Sequence, residues 1–278
     1  MRLLHLLGYP VAHSLSPAMQ NAALRALGLD YEYRLMPVPP EGLEEKVAEL
    51  RASSAGFNVT IPHKVAILPL LDALDETASA VGAVNTVVND SGRLRGYNTD
   101  CLASTRAIRE AFGDLAGCRV VVLGAGGAAR AVASGLAPHA EWIKILARDE
   151  EKAKALAEQV RGRTEAEVQG RGLGEAVETI RSADILVNAT PVGMSPKIDC
   201  SPVEAGVLHP GLLVFDLVYN PERTRLLADA EAAGARALGG LTMLVYQGAE
   251  AFRLWTGREA PEALMMRAAR EALGGAAA

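Results

Sequence analysis

Short apolar runs alternate, through most of the 278 residues, with longer stretches whose apolar residues recur every three or four positions. Runs at residues 2–7, 33–38 and 56–59 read as strands, and residues 18–27 and 43–51 carry helical spacing between them. Residues 86–89 and 93–96 flank Asp90-Ser91-Gly92, which predicts a hairpin. A helix over 102–112 and a polar turn at Gly113-Asp114-Leu115-Ala116-Gly117 lead into a wholly apolar run at 119–123. Further strand-length runs fall at 142–146, 184–188 and 212–216, separated by helical patterns. Beyond Gly239-Gly240 the strand pattern stops, and residues 241–255 and 261–273 read as amphipathic helices. This alternation predicts an α/β fold with a mainly parallel sheet, and its second block has the rhythm of a Rossmann-type, doubly wound nucleotide domain.

Composition narrows the class. Hydrophobic residues make up 50% and charged residues 22%, the balance of a globular protein with a sizeable core, the small-residue tail Gly274 to Ala278 excepted. A net charge of −5 predicts no broad basic surface, so nucleic acid is not an expected partner and any bound anion needs a local site. Cys101, Cys118 and Cys200 are odd in number and lack CxxC spacing, which argues against a disulfide framework or structural zinc and fits a reducing compartment. No cluster demands a metal. The apolar run near Met1 is too short for a secretory signal, and no run reaches membrane-spanning length, so the expected location is the cytoplasm, with no membrane partner.

Gly124-Ala125-Gly126-Gly127-Ala128-Ala129 follows the apolar run at 119–123 and opens a helix. It fits G-x-G-x-x-A: Gly124 for a tight turn, Gly126 for close approach to a diphosphate, Ala129 for helix–strand packing. The diphosphate would sit on free N–H groups at the helix start. The next strand ends Ala147-Arg148-Asp149, where a dinucleotide enzyme selective for NAD usually has an acidic residue. Arg148, with Lys152 a turn later, suits a 2′-phosphate and predicts NADP; the plainer alternative is two solvated charges, and Asp149 weighs against a phosphate.

The first block holds an unusual polar set: Ser14-Leu15-Ser16-Pro17, Asn58-Val59-Thr60-Ile61-Pro62-His63-Lys64, Asn85-Thr86 and Asn98-Thr99-Asp100. An alcohol that loses hydride must also lose its hydroxyl proton, and a placed lysine can take it and return it. Lys64 can serve if its surroundings tune it, with Asp100 orienting both it and the hydroxyl. Each residue has a plainer reading too. Ser16-Pro17 suits a helix N-cap followed by proline, Asn98 and Asp100 suit caps, Thr60 and Pro62 suit a turn, and Lys64 alone suits a solvated charge.

Taken in order, these motifs resemble the shikimate dehydrogenase family, and the resemblance continues through Asn188-Ala189-Thr190-Pro191-Val192-Gly193-Met194, Asp216-Leu217-Val218-Tyr219-Asn220-Pro221, Thr224, and Gly240-Leu241-Thr242-Met243 to Gln247. It implies a substrate-binding catalytic domain of residues 1–101 plus 240–278, an NADP-binding Rossmann domain of residues 102–239, and substrate and cofactor meeting in a cleft. The implied reaction is the reversible NADPH-dependent reduction of 3-dehydroshikimate to shikimate, a step of aromatic amino acid biosynthesis. By the same resemblance Ser14 and Ser16 bind the substrate carboxylate with Tyr219 near it, and Lys64 and Asp100 form the catalytic pair. Asn58, Thr60, Asn85 and Gln247 would hold ring hydroxyls or orient that pair. Beside Gly124, Ala125, Gly126, Gly127, Ala128, Arg148 and Lys152, the cofactor would be lined by Asn188, Ala189, Thr190, Met194, Leu217, Gly240 and Met243. A monomer or homodimer is expected.

Two positions depart from the family pattern. Ala147-Arg148-Asp149 stands where Asn-Arg-Thr is frequent, which bears on the strength of NADP preference, and Cys101 stands where glycine often follows Asn-Thr-Asp. Cys101 near the site would sensitise activity to thiol reagents unless it is a small buried hydrophobe. Three other readings compete: a quinate/shikimate dehydrogenase using NAD or both cofactors, a non-catalytic ligand sensor on the same fold, and an amino-acid or folate-type dehydrogenase. The Ser14/Ser16 pair leans toward shikimate over quinate, and Lys64 with Asp100 leans against a sensor.

Overall fold

The computed structural model describes residues 1–275; residues 276–278 of the small-residue tail lie outside the described residues. From the N-terminus run β1 (Arg2–Gly8), α1 (Ser16–Ala26), β2 (Tyr31–Pro37), α2 (Leu43–Ser53), β3 (Gly56–Val59), β4 (Ala73–Leu74), α3 (Glu76–Val81), β5 (Thr86–Asp90), β6 (Arg93–Tyr97) and α4 (Thr99–Phe112). There follow β7 (Cys118–Leu123), α5 (Gly127–Leu136), β8 (Ala140–Ala147), α6 (Glu150–Arg161), β9 (Glu167–Gly172), α7 (Ala176–Arg181), β10 (Ile185–Asn188), β11 (Leu213–Asp216), α8 (Arg225–Ala232) and β12 (Arg236–Gly239). The chain closes with α9 (Gly240–Thr256) and α10 (Glu262–Gly275). Gly274 and Gly275, expected in a disordered tail, complete the last turn of α10 instead. No described helix is long and apolar enough to cross a membrane.

The described chain forms two compact units, one of Met1–Ala103 with the segment from Leu244 onward, the other Ser104–Met243. The division falls inside α4 and α9, so both helices pass from one unit to the other.

The first unit is built on a six-stranded sheet in the order β2-β1-β3-β5-β6-β4. It is mixed rather than purely parallel: β1 pairs parallel with β2 and β3, whereas β5 pairs antiparallel with β3 and β6. The hairpin between β5 and β6 turns on Ser91 (φ 53) and Gly92 (φ 92), the positive pair that a two-residue connection of matching twist requires. Leu7, Val47, Leu50, Phe57, Val59 and Ile67 pack α2 and the following turns onto this sheet. From α9, Trp255 donates its indole N–H to Val87 O at 2.9 Å and tilts its ring against Tyr33 with centroids 6.0 Å apart.

The second unit is a six-stranded sheet, every pairing parallel, in the order β12-β11-β10-β7-β8-β9. Counted from β7, that is the doubly wound order 3-2-1-4-5-6 read in reverse, and it reverses direction between β7 and β10. The central strands are apolar nearly throughout because helices cover both faces; Val121, Leu123, Leu186 and Val214 meet Ile180 of α7 and Leu226 of α8 on one side. The edge strands β9 and β12 had no apolar run to announce them, and β4 is only two residues long.

Trp255→Ala removes a nearly buried side chain together with its hydrogen bond to Val87 O, and should cost about 3–5 kcal/mol, read as a lowered urea midpoint of the unfolding transition. An unchanged midpoint would show that α9 does not anchor this sheet.

Candidate active site

The polar set of the first unit converges on the C-terminal ends of β1 and β3. Past β3, Thr60 N–H donates to Leu7 O (2.9 Å) and His63 N–H to Thr60 O (2.8 Å), closing a turn that presents Lys64. Beneath it, His63 is buried and its Nε2 donates to Val38 O at 2.6 Å, Ile67 is fully buried, and Val84 N–H donates to Lys64 O at 2.8 Å. The lysine therefore rides on a rigid support. Its Nζ lies 2.5 Å from Asp100 Oδ2, with side chains 15% and 8% exposed, so the pair is largely removed from water yet still reachable.

Asp100 owes its position to α4. Asn98 Oδ1 accepts from Cys101 N–H at 3.1 Å and caps that helix, so capping falls to Asn98 and leaves the carboxylate in the first turn free for Lys64. At α1 the capping expectation for Ser16 fails: the helix begins at Ser16 after Leu15, with no side-chain cap. Instead Ser14 Oγ accepts from Ser16 N–H at 3.2 Å, and the Ser16 hydroxyl stands beside the buried phenol of Tyr33. Burial pushes that phenol well above its ordinary range, so it stays protonated and donates to Asn58 Oδ1 at 2.7 Å.

Asn58 is nearly consumed by the protein. Its amide also donates to Asn85 O (3.0 Å) and Thr86 Oγ1 (2.9 Å), leaving one lone pair of Oδ1. Its work is to hold Asn85, whose Oδ1 accepts from Thr99 N–H at 2.8 Å and whose Nδ2 reaches Thr99 Oγ1 at 2.9 Å and Gln247 Oε1 at 3.5 Å. Asn85 thus ties β5, the start of α4 and α9 together around the Lys64–Asp100 pair. His63 and Thr99 lie inside the quoted motifs without being singled out as candidate site residues, and Tyr33 lies outside them; no local pattern marks these three.

In the second unit, the turn after β7 meets the segment after β10, at the point where strand order reverses. Gly124 has φ +105, and a side chain there would lie 3.0 Å from Ala189 O and 3.2 Å from the Thr190 methyl. Glycine is required for both reasons. Gly126 precedes α5, which lacks a side-chain cap, and the space where a Gly126 side chain would project is open. The first N–H groups of α5 are therefore available to an anion. At Gly240 a Cβ would fall 2.3 Å from Leu217 O, so these two expected cofactor residues adjoin. Met194 is exposed, Met243 is buried in α9, and Tyr219 follows β11 with its phenol pushed up by burial.

Arg148 is exposed at the end of β8. Asp149 caps α6 through Lys152 N–H (3.2 Å) and pairs with Lys152 Nζ (3.2 Å), interactions that hold its carboxyl below the usual range. Both partners of the pair are largely exposed, so it offsets the Asp149 charge only in part. Arg130, on α5, was not singled out from the motif; burial presses its guanidinium downward, and no carboxylate pairs with it among the described residues.

These features meet the requirements of a dinucleotide: a glycine turn at the reversal point, an uncapped helix start and a cation at the next strand end. They accompany the shielded lysine–aspartate pair of the first unit, and together they define a nicotinamide-dependent dehydrogenase fold. Family models cover residues 6–87 (shikimate dehydrogenase substrate binding domain), 106–221 (shikimate/quinate 5-dehydrogenase) and 240–270 (shikimate 5′-dehydrogenase C-terminal domain). The NADP(+) shikimate dehydrogenase of Methanopyrus kandleri is 51% identical over 276 residues, 96% of this chain and 94% of its own. A crystal structure of shikimate 5-dehydrogenase from Thermus thermophilus with NADP(H) and shikimate superposes with a TM-score of 0.88 at 41% identity, covering 98% of this chain and 100% of that one. The Listeria monocytogenes enzyme, solved with shikimate and NAD, gives a TM-score of 0.88 at 38% identity, with 96% of each chain covered. The chain belongs to the shikimate dehydrogenase family.

Cys101 is 8% exposed, and burial, with Asp100 next to it, pushes its thiol up to about 11. Cys118 is raised likewise to about 11, by burial and then Asp184, whereas Cys200 is exposed. Cys101 is thus the small buried hydrophobe rather than a reactive thiol. A chromogenic disulfide reagent at pH 7.5 should modify one of the 3 cysteines in the native protein, Cys200, and all of them after denaturation. Rapid native labelling of Cys101 would contradict this environment.

Proposed function

We propose that the chain catalyses the reversible NADPH-dependent reduction of 3-dehydroshikimate to shikimate, with Lys64 and Asp100 handling the proton. The observation that carries this reading is the 2.5 Å pair of Lys64 Nζ and Asp100 Oδ2, shielded but not sealed, at the start of α4 where Asn85 bonds Thr99 and reaches Gln247. Ser14 and Ser16 would donate hydroxyl hydrogen bonds to the substrate carboxylate. Asn85, Gln247 and Thr60 would hold the ring hydroxyls and keep the catalytic pair aligned, with Asn58 acting through Asn85. When bound, NADPH supplies the hydride to the carbonyl carbon. Lys64 gives a proton to the alkoxide developing there, and Asp100 keeps the ammonium aimed at that oxygen; in the oxidative direction Lys64 receives the proton. The first unit is accordingly the substrate-binding one.

The second unit would hold the dinucleotide: the diphosphate on Gly124 to Ala128 at the start of α5 with Arg130 as a further cation, the 2′-phosphate on Arg148 and Lys152, and Asn188, Ala189, Thr190, Met194, Leu217, Gly240 and Met243 lining the rest. Arg148, exposed at the end of β8 with Lys152 one turn on, supports NADP rather than NAD as the favoured cofactor, and the expected setting is the cytoplasm.

Lys64→Ala should lower kcat for shikimate oxidation by about 10²–10⁴ with little change in KM, because the proton transfer matters in the transition state. A near-normal kcat would remove Lys64 from this role. Arg148→Ala should raise KM for NADP+ roughly tenfold while leaving that for NAD+ nearly unchanged, since a guanidinium–phosphate contact is lost only with the former. Equal effects on both cofactors would place the 2′-phosphate elsewhere.

A further inference from the structure

Asp216 ends β11 with no solvent exposure, and no cation pairs with it among the described residues. A carboxylate so buried survives only where donors replace its water. It has three. Oδ1 accepts from the Asn188 amide at 2.9 Å and from Val218 N–H at 3.0 Å, and Oδ2 accepts from the Thr224 hydroxyl at 2.6 Å.

Each donor controls a different piece of chain. Asn188 stands in register with Asp216 on the neighbouring strand, and its Oδ1 in turn accepts from Thr190 N–H (3.1 Å) and the Thr190 hydroxyl (2.6 Å). Val218 N–H fixes the exit of β11 just past Leu217, whose own N–H donates to Asn188 O at 3.0 Å. Thr224 Oγ1 accepts from Leu227 N–H at 3.3 Å and so caps α8. Two loops that leave the sheet at the reversal point, and the helix after them, therefore hang from one carboxylate.

We infer that Asp216 is a positioning residue for the cofactor site, acting through Asn188, Val218 N–H and Thr224 to hold the 189–190 segment against the glycine turn and the 217–218 segment against Gly240. This rests on the dinucleotide reading above. The Ala189 carbonyl is the group that closes on Gly124, so a loosened Asn188 moves the wall of the site directly. The acceptor-only character of a carboxylate is what the place demands, because all three incoming groups are donors. An asparagine would turn its NH2 toward Thr224 Oγ1, which already accepts from Leu227, and would leave the hydroxyl proton without an acceptor.

The test is calorimetric titration of NADP+ into the wild-type protein and the variants Thr224→Val, Thr224→Ser and Asp216→Asn, alongside KM for shikimate and the thermal midpoint. Thr224→Val and Asp216→Asn should bind NADP+ about tenfold more weakly, the cost of losing one hydrogen bond to a charged group at the wall. Thr224→Ser, which keeps the hydroxyl, should stay within about twofold of wild type, and KM for shikimate should move no further in any folded variant. A purely structural role would lower the thermal midpoint and leave NADP+ affinity unchanged. That result, or Thr224→Ser binding as weakly as Thr224→Val, overturns the inference. If Asp216→Asn does not fold, the Thr224 pair decides alone. Wild-type protein that gives no NADP+ heat and no turnover would overturn the dinucleotide reading itself, and this inference with it.

Discussion

The ion pair between Lys64 and Asp100 is the contact around which the polar groups of the first unit are arranged. The two side chains are only 15% and 8% exposed, so the pair depends on close geometry in place of water. The surrounding residues fix that geometry. His63 and Ile67 root the lysine turn beneath the surface, Asn98 takes over the helix cap, and Asn85 binds the two sides of the pair into one frame.

A chain of net charge −5 that takes NADP needs a local anion site rather than a basic surface. In the reading proposed above, the second unit would provide it through backbone N–H groups at the uncapped start of α5, with Arg130 and Arg148 nearby in sequence, where the strand order reverses. Asp149 is engaged as the cap of its own helix and in an exposed pair with Lys152. The same economy appears at Asp216, a buried anion whose donors are the groups that shape the site wall.

Strands with apolar neighbours on both faces were legible from residue pattern alone, as in 119–123 and 184–188. Edge strands were not: β9 is Glu167-Val-Gln-Gly-Arg-Gly, which needs one partner and keeps polar residues toward water. Helix α3 also went unread, although Asp75 before it and Gly82 after it are ordinary cap signals. In the site, the motif residues were visible but not their division of labour. Pattern could not say that Asn98 rather than Asp100 caps α4, that Ser16 does not cap α1, or that Asn58 spends its amide on Asn85 and Thr86. Those outcomes depend on where side chains far apart in sequence meet, such as Tyr33 with Asn58, and no local spacing encodes that.

The central claim is that the polar frame around Lys64 and the cation at Arg148 select one substrate and one cofactor. The most direct measurement is the initial rate of oxidation of shikimate and of quinate, each with NADP+ and with NAD+, followed at the reduced-nicotinamide absorbance. The account predicts rapid turnover for shikimate with NADP+ and far slower rates for the other three combinations. Comparable rates with quinate or with NAD+ would contradict it, and absence of turnover in all four would show that the paired lysine and aspartate do not serve this reaction.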